Sequence, residues 1–292
     1  MEAQKKTIAF IGLGAMGCPM AGHLIGAGFK VSGFDVSEGA RARFAAKGGQ
    51  VRAEVSSALC DADFVITMLP NGKIVRDVLL KDENCRSLKE GCLVIDMSSS
   101  APMDTRELAG ELVGRGVRFV DAPVSGGTKR AISGSLTIMV GGDGKDIDEA
   151  LPLLKALGTQ IFRTGPIGTG HAMKAINNYV SGAGVVATIE AVLLGQKFGL
   201  ESEAIVEILN ASSGKTNASD VKMKQFILSE TFDSGFATGL MAKDIRTAAD
   251  LAKVLELRLS ALDATAALWE DAAKKLGPGS DHTLVARYLK DR

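Results

Sequence analysis

The stretch TGPIGTGHAMKAINNYVSGAGVVATIEAVLLGQKFGL, Thr164–Leu200, decides how the rest of the chain is organised. After a Gly/Pro-rich turn we predict a helix over about 170–198, because Gly199 is well suited to end one. No charged residue occurs between Lys174 and Glu190. A helix that is apolar on every side is expected to be buried on every side. Polar residues interrupt it before it reaches the ~18 apolar residues of a membrane span, so we predict a central helix packed between two domains.

Three polar residues lie near the start of this helix, Lys174, Asn177 and Asn178. Spacings of three and four residues place them on one side of a helix. A lysine at this position has two interpretations. It either extends its ammonium group to solvent at the helix end or serves as a catalytic acid and base. The rest of the chain has to distinguish the two.

The composition argues against several classes of function. In the 292 residues, 34 basic side chains balance 34 acidic ones, which speaks against nucleic acid or a membrane surface as the main partner. The three histidines form no HExxH or HxxH pair, so we predict no metal site. The four cysteines have no CxxC spacing, and the start is too short and polar before Ile8 for a signal peptide. Both features favour a reduced, cytoplasmic location.

The beginning of the chain has the pattern of a dinucleotide-binding turn. Residues 7–12 (TIAFIG) predict a buried strand, and the glycines of GLGAMG (12–17) lie between it and a helix that extends to about Ala27. Such glycines allow a tight turn, close approach of a pyrophosphate and close packing of helix on strand. The predicted cofactor-binding residues of this turn are Gly12, Leu13, Gly14, Ala15, Met16 and Gly17.

The second predicted strand, KVSGFD, bears on the choice of cofactor. It ends at Asp35, near the ~20-residue spacing expected for the acid that binds the ribose hydroxyls. A carboxylate there repels a 2′-phosphate, so the sequence favours NAD over NADP. Arg41 and Arg43 follow and could attract such a phosphate, but on the next helix we expect them to form a solvated face.

Alternating strands and helices continue through the first half. Apolar runs over 63–70, 91–99, 118–124 and 135–142 predict further strands with helical segments between them. This pattern is typical of an α/β fold with a Rossmann-type, doubly wound parallel sheet, whose ligands bind beyond the carboxyl ends of the strands.

Two of these strand ends carry candidate residues. Leu69 and Pro70 follow one strand, and Ser99 and Ser100 follow the next. The serines also have an ordinary interpretation, since either could cap a helix that starts near Pro102. From the residues alone, we prefer the capping role.

A glycine loop follows the strand over 118–124. Ser125-Gly126-Gly127 lets backbone amides converge on a small anion, although a flexible turn is an alternative interpretation. Lys129 and Arg130 come shortly afterwards. They are either solvated charges, which is the simpler interpretation, or one of them meets a second polar group of the ligand.

The second half is predicted to be helical throughout. We place the domains at 1–165, a dinucleotide-binding domain, and 166–292, an all-α domain that begins with the long helix. Lys243 and Asp244 lie in the first turns of a later apolar helix. Without further information they form an exposed charge pair.

Four segments together resemble the β-hydroxyacid dehydrogenase family: GLGAMG (12–17), DAPVSGG (121–127), GHAMKAINN (170–178) and AKD (242–244). The resemblance extends over essentially the whole chain. It implies an NAD-dependent enzyme that interconverts a small β-hydroxy acid and its semialdehyde or keto form. The candidate substrates are 3-hydroxyisobutyrate, tartronate semialdehyde or glycerate, threonate and sulfolactaldehyde. It also implies a homodimer or homotetramer with the helical domains at the interface.

The resemblance assigns roles to individual residues. Lys174 becomes the catalytic acid and base. The substrate carboxylate is held by Ser125, Gly126, Gly127 and Asn178, and Lys243 is also placed among the substrate-binding residues. The residues that border the cofactor are Leu69, Pro70, Ser99 and, from the helical domain, Lys243.

Two alternatives are kept beside this reading. One is an imine or ketone reductase on the same scaffold, against which the lysine at 174 argues. The other is a non-catalytic dinucleotide sensor, which would need neither that lysine nor the glycine loop.

Overall fold

The computed structural model of the chain describes residues 6–291. One compact unit extends to Lys174, and a second begins at Ala175. This division falls inside the long helix, whereas the sequence places the domain boundary just before that helix. The two units are described separately below.

A single sheet forms the centre of the first unit. Within residues 6–291 its strands are β1 (Thr7–Ile11), β2 (Lys30–Phe34), β3 (Gln50–Val51), β4 (Phe64–Thr67), β5 (Leu93–Asp96), β6 (Arg118–Asp121), β7 (Val124–Ser125), β8 (Leu136–Gly141) and β9 (Gly158–Gly165). The first six are parallel in the order β3-β2-β1-β4-β5-β6. The predicted Rossmann-type α/β fold is confirmed.

The far edge of the sheet departs from the all-parallel prediction. Strand β8 runs antiparallel to both β6 and β7, while β9 runs parallel to β8. The reason lies in the connection between β7 and β8, which contains only the short helix α7 (Gly127–Ser133). A parallel crossover needs about a dozen residues or more, so the chain turns back instead.

Helices cover both faces of the sheet. They are α1 (Gly17–Gly26), α2 (Glu38–Ala45), α3 (Val55–Leu59), α4 (Gly72–Leu80), α5 (Asp82–Ser87), α6 (Pro102–Val113), α7 and α8 (Gly144–Leu157). Side chains alternate along each strand, so Phe10 and Ile66 belong to one core while Ala9 and Val65 belong to the other. Continuous apolar strands are therefore buried on both sides.

The second unit is helical, as predicted. Its elements are most of α9 (Thr169–Phe198), then α10 (Ser202–Ala211), a π-helix (Ala218–Ile227), α11 (Thr238–Val254), α12 (Ser260–Leu276), a 3₁₀ turn (His282–Leu284) and α13 (Val285–Lys290). The core centres on the fully buried Trp269, whose Nε1 donates to the carbonyl oxygen of Gly182 at 3.3 Å. A Cβ on Gly182 would lie 2.5 Å from Ile245 Cδ1, so α9 and α11 pack closely at this glycine.

Helix α9 is not buried on every side, which corrects the sequence-based expectation. Val185, Ile189 and Val192 belong to the core of the second unit. On other sides of the helix, Leu194 is 74% exposed and Phe198 is 86% exposed. By length and composition α9 could cross a membrane. However, its buried face is typical of a core helix, so the exposed apolar residues need another explanation.

Candidate active site

The turn between β1 and α1, residues 12–17, has backbone geometry that only glycine allows at two positions. Gly12 has φ +98°, and a Cβ there would lie 2.3 Å from the carbonyl oxygen of Met68. A Cβ on Gly17 would lie 1.9 Å from the carbonyl oxygen of Gly12. Around Gly14, by contrast, no heavy atom lies within 4 Å of a built Cβ. The turn is therefore tightly packed at Gly12 and Gly17 and open at Gly14. This arrangement fits a pyrophosphate at the start of a helix.

Asp35 lies directly against this turn. Its Oδ2 accepts a hydrogen bond from the backbone N–H of Leu13 at 2.7 Å, and its Oδ1 accepts one from Ser37 at 2.8 Å. These bonds hold the carboxylate at the end of β2, where a ribose would approach. Arg41 does not simply face solvent, since its Nη1 donates to the carbonyl oxygen of Asp35 at 2.6 Å. Arg43 is exposed, as predicted.

The ends of β4 and β5 are linked by a buried carboxylate. Asp96, only 1% exposed, accepts hydrogen bonds from Thr67 Oγ1 at 2.9 Å and Ser100 Oγ at 2.8 Å. Ser98 Oγ in turn accepts from the N–H of Leu69 at 2.9 Å. This corrects the capping prediction, because α6 begins after Ala101 without a side-chain cap. A buried carboxylate is the stronger acceptor for the Ser100 hydroxyl.

Three predicted cofactor residues lie in these strand-end loops. Leu69 and Ser99 are half-buried, and Pro70 is exposed. The structure thus places them at the carboxyl ends of parallel strands, in the region where such sheets bind ligands. Ala15 and Met16 in the glycine turn are likewise accessible, whereas the side chain of Leu13 is buried.

The Ser-Gly-Gly loop connects β7 to α7. Gly126 and Gly127 are exposed and have φ +125° and +65°, conformations that favour glycine. The Arg130 side chain lies across Gly126, because a Cβ there would be 2.3 Å from Arg130 Cδ. The guanidinium Nη1 of Arg130 is 3.5 Å from Thr137 Oγ1. Arg130 therefore lies beside the loop.

A buried carboxylate also fixes the start of α9. Asp121, fully buried at the end of β6, accepts hydrogen bonds from the N–H of Gly168 at 2.7 Å and of His171 at 2.8 Å. Burial raises the pKa of Asp121, while His171 and these two N–H groups act in the opposite direction. A carboxylate at this helix end also interacts favourably with the helix dipole. We call this arrangement the Asp121 clamp.

His171 extends the clamp. Its Nδ1 is 2.9 Å from Thr105 Oγ1, and its Nε2 is 3.2 Å from the carbonyl oxygen of Ser98. Lys174 lies one helical turn later and is half-buried. The strand that leads to the Ser-Gly-Gly loop therefore also orients the helix that carries Lys174. Sequence reasoning missed this role, although Asp121 and His171 both occur in the quoted motifs; an acid at the end of a buried strand was the available signal.

In the second unit, α9 and α11 are joined by buried polar side chains. Asn178, 6% exposed, donates from Nδ2 to Asp244 Oδ2 at 2.6 Å. Asp244 Oδ1 is 2.9 Å from Lys243 Nζ, and Asn177 Nδ2 donates to Asn178 Oδ1 at 3.0 Å. Asp244 is only 3% exposed, so the exposed charge pair expected from sequence is wrong. The predicted residues Asn178 and Lys243 are brought together through a carboxylate whose role the sequence left open.

Helix α9 presents Lys174, Asn178 and Ser181 at spacings of four and three residues, which places them on one side. We call these three residues the polar face of α9. Ser181 was not predicted to be functional. It extends the face by almost one turn beyond Asn178, along an otherwise apolar stretch.

Comparisons with known proteins agree with this geometry. Residues 7–165 match the NAD binding domain of 6-phosphogluconate dehydrogenase, and residues 168–289 match the NAD-binding domain of NADP-dependent 3-hydroxyisobutyrate dehydrogenase. The chain is 40% identical to 2-(hydroxymethyl)glutarate dehydrogenase of Eubacterium barkeri, over 84% of this chain and 82% of that protein. It is 38% identical to NAD-dependent L-serine dehydrogenase of Pseudomonas aeruginosa, over 85% and 86% of the two chains.

A solved structure gives the same result. Mycobacterium tuberculosis 3-hydroxyisobutyrate dehydrogenase, determined with L-serine, superposes with a TM-score of 0.91 at 32% identity and covers 98% of this chain and 99% of that one. These relatives are dehydrogenases that act on CH–OH groups. By sequence and by fold, the chain is an NAD-binding oxidoreductase of the β-hydroxyacid dehydrogenase family.

Proposed function

We propose that the chain interconverts a small β-hydroxy acid and its semialdehyde or keto form, with Lys174 as the acid and base. The observation that carries this proposal is the polar face of α9. Lys174 and Asn178 lie one turn apart on a helix whose start is fixed by the Asp121 clamp. A lysine that merely ended a helix in solvent would need neither a buried clamp before it nor a buried asparagine after it.

The chemical step requires a hydride acceptor, a base and groups that bind the substrate carboxylate. NAD, when bound, accepts a hydride from the carbinol carbon. The neutral Nζ of Lys174 takes the hydroxyl proton, so the alcohol becomes a carbonyl group and the amine becomes an ammonium group. In the reverse direction the ammonium group returns the proton to the carbonyl oxygen. A positioned acid and base of this kind contributes about 10²–10⁴-fold to the rate.

Binding of the substrate carboxylate is assigned to Ser125, Gly126 and Gly127, with help from Asn178. The two glycines have the exposed, left-handed backbone of an anion-binding loop. The amide of Asn178 is held by Asp244, so its orientation is fixed before a ligand binds. Fixed donors lose little conformational entropy on binding, which supports this role.

Cofactor binding is assigned to the glycine turn, Asp35 and the strand-end loops. Gly12 and Gly17 allow the packing of the turn, and the open space at Gly14 accommodates the pyrophosphate. The remaining assigned residues are Leu13, Ala15, Met16, Leu69, Pro70, Ser99 and Lys243. For Lys243, the ion pair with the buried Asp244 supports a fixed ammonium group.

We further propose a homodimer or homotetramer. The exposed apolar side chains of α9, Leu194 and Phe198 among them, support an interface between copies of the chain. This would give α9 the burial on further sides that its sequence predicts. A cytoplasmic location remains an expectation from the sequence.

The substrate class includes 3-hydroxyisobutyrate, tartronate semialdehyde or glycerate, threonate and sulfolactaldehyde. The Eubacterium relative adds 2-(hydroxymethyl)glutarate to the candidates. The test is a screen of the purified chain with these hydroxy acids and NAD⁺, and with the aldehydes and NADH, followed by nicotinamide absorbance. At least one member should be turned over. Turnover of cyclic imines but of no hydroxy acid would favour the imine reductase alternative, and cofactor binding without any turnover would favour the sensor.

A further inference from the structure

Lys222 of the π-helix is a half-buried cation beside the polar face of α9. Its Nζ lies 3.4 Å from Ser181 Oγ, between elements that are 41 residues apart in the chain. Burial lowers the pKa of Lys222 from 10.5 to about 8, and the charge of Asp281 offsets part of this effect. At neutral pH the side chain is still mostly protonated. The π-helix itself is an uncommon element that often occurs at functional sites.

Asp281 acts on this charge without forming a direct ion pair with it. The carboxylate of Asp281 accepts hydrogen bonds from Ser234 Oγ at 2.9 Å, from the N–H of Gly235 at 2.8 Å and from the N–H of Thr283 at 3.0 Å. Within residues 6–291 no carboxylate forms an ion pair with Lys222. An ammonium group taken partly out of water without a paired anion is costly, so its retention calls for an explanation.

His282 carries no charge that balances or competes with the charge of Lys222. Its Nδ1 contacts Ser234 Oγ at 3.0 Å and the carbonyl oxygen of Phe236 at 3.2 Å, while its buried Nε2 has no hydrogen-bond partner. Burial, together with the charge of Lys222, lowers the pKa of His282 to about 4. The imidazole is therefore neutral at physiological pH, and Lys222 is the cation of this cluster.

Ser181 connects the cluster to the proposed active site. It lies three residues after Asn178, about 4.5 Å further along the axis of α9 and on the same side. An ammonium group and a hydroxyl group next to each other are two donors for one oxyanion. A substrate held by its first carboxylate near Asn178 could therefore place a second anionic group here.

We propose that Lys222 and Ser181 form a second anion subsite that binds a distal carboxylate of the substrate. The inference rests on the proposed function and makes it narrower. The preferred substrates would be β-hydroxy acids that carry a second carboxylate on a short arm. This subsite is distinct from Lys129 and Arg130, which the sequence offers for the same purpose.

A matched pair of substrates tests the subsite. One is 3-hydroxyisobutyrate; the other has its methyl group replaced by a carboxymethyl or carboxyethyl arm. The wild-type chain should show at least tenfold higher kcat/KM for one of the dicarboxylates. Lys222→Met should remove that preference through KM and leave kcat/KM for 3-hydroxyisobutyrate within about threefold. Ser181→Ala should weaken the preference in the same direction but by less.

Control variants keep the test interpretable. Lys222→Arg retains the charge and should retain at least part of the preference. Lys224→Met removes an exposed lysine of the same π-helix, one that pairs with Glu207 at 2.8 Å. This variant should leave kcat/KM unchanged for both substrates. If Lys222→Met affects both substrates equally, or neither, the subsite is wrong while the proposed function stands. If the wild-type chain turns over no hydroxy acid at all, the proposed function fails and the subsite fails with it.

Discussion

The glycine turn at residues 12–17 and the polar face of α9 are built in different ways. Backbone conformation and the absence of side chains define the turn, as the 2.3 Å approach to Gly12 and the open space at Gly14 illustrate. Side chains from distant parts of the sequence support the polar face, through the Asn178–Asp244 and Ser181–Lys222 contacts. The comparison teaches that a backbone site is visible in local spacing, whereas a side-chain site depends on pairings that only folding reveals.

The difference implies that the two regions fail in different ways when altered. Changes to the turn and its carboxylate should act on cofactor binding and choice. Changes to the polar face should act on proton transfer and substrate selection.

The largest effect is expected at Lys174. Lys174→Ala removes the proposed acid and base, so kcat should fall by about 10²–10⁴-fold with the best substrate of the screen. Lys197→Ala, in the exposed last turn of the same helix, is the matched control and should remain near wild type. Steady-state kinetics measure both. Activity of Lys174→Ala within a few-fold of wild type would make this lysine only a helix-end residue.

The next effect concerns the cofactor. A carboxylate about 4 Å from a 2′-phosphate costs about 1–4 kcal/mol, so kcat/KM for NAD(H) should exceed that for NADP(H) by roughly ten- to several-hundred-fold. Asp35→Ala should lower the ratio of kcat/KM for NAD(H) to that for NADP(H). Arg41 lies beside Asp35, since it donates to the carbonyl oxygen of that residue, and its charge could attract a 2′-phosphate. Arg41→Ala should therefore increase the ratio of kcat/KM for NAD(H) to that for NADP(H), whereas Arg43→Ala, at an exposed position, should leave the ratio unchanged. Equal use of both cofactors by wild type would show that Arg41 outweighs the carboxylate.

A smaller effect is expected beside the Ser-Gly-Gly loop. If Lys129 or Arg130 meets a second polar substrate group, Lys129→Ala or Arg130→Ala should erase a preference for threonate, tartronate semialdehyde or sulfolactaldehyde over 3-hydroxyisobutyrate. The loss should be about tenfold, or ~1.4 kcal/mol. Arg130 is the stronger candidate because its side chain lies across Gly126. Unchanged preferences in both variants would assign the two charges to solvent and leave Lys222 as the anion site.

The last prediction concerns stability rather than kinetics, and is a pH dependence of stability at Lys222. Its folded-state pKa, about 8, lies below the ordinary value of 10.5, so between these pH values the unfolded chain binds more protons at this position. Stability contributed by this group therefore rises with pH across the window. Asp281 and His282 are the titratable groups that face it. Urea unfolding should show that the free energy of unfolding of wild type, relative to that of Lys222→Met, increases from pH 8 to 10. A difference that does not change with pH would place Lys222 in solvent.

Much of the first unit could be predicted from sequence because its information is local. The apolar run before Gly12, the spacing to Asp35 and the strand-helix alternation all act through neighbouring residues. The antiparallel β8 was missed because its direction depends on the length of a connection rather than on strand composition. The roles of Asp96 and Asp121 were missed because hydrogen bonds to buried carboxylates join elements that are far apart in sequence.

In the second unit, sequence located the helices and the key polar residues but not their environment. Asp244 was expected to be exposed, yet contact with Asn178 accompanies its burial. Helix α9 has more apolar surface than a single copy of the chain covers. Nothing in local composition distinguishes Lys222 from the exposed Lys224 two residues later.

The separation of cofactor binding from proton transfer is the central claim, and NADH titration of Lys174→Ala beside Asp35→Ala tests it most directly. Nicotinamide fluorescence gives the dissociation constant without requiring turnover. The account predicts a Kd within about threefold of wild type for Lys174→Ala, despite its loss of kcat, and a weaker Kd for Asp35→Ala. If NADH affinity falls in Lys174→Ala as steeply as kcat does, Lys174 supports the cofactor and the assignment of the polar face to catalysis is contradicted.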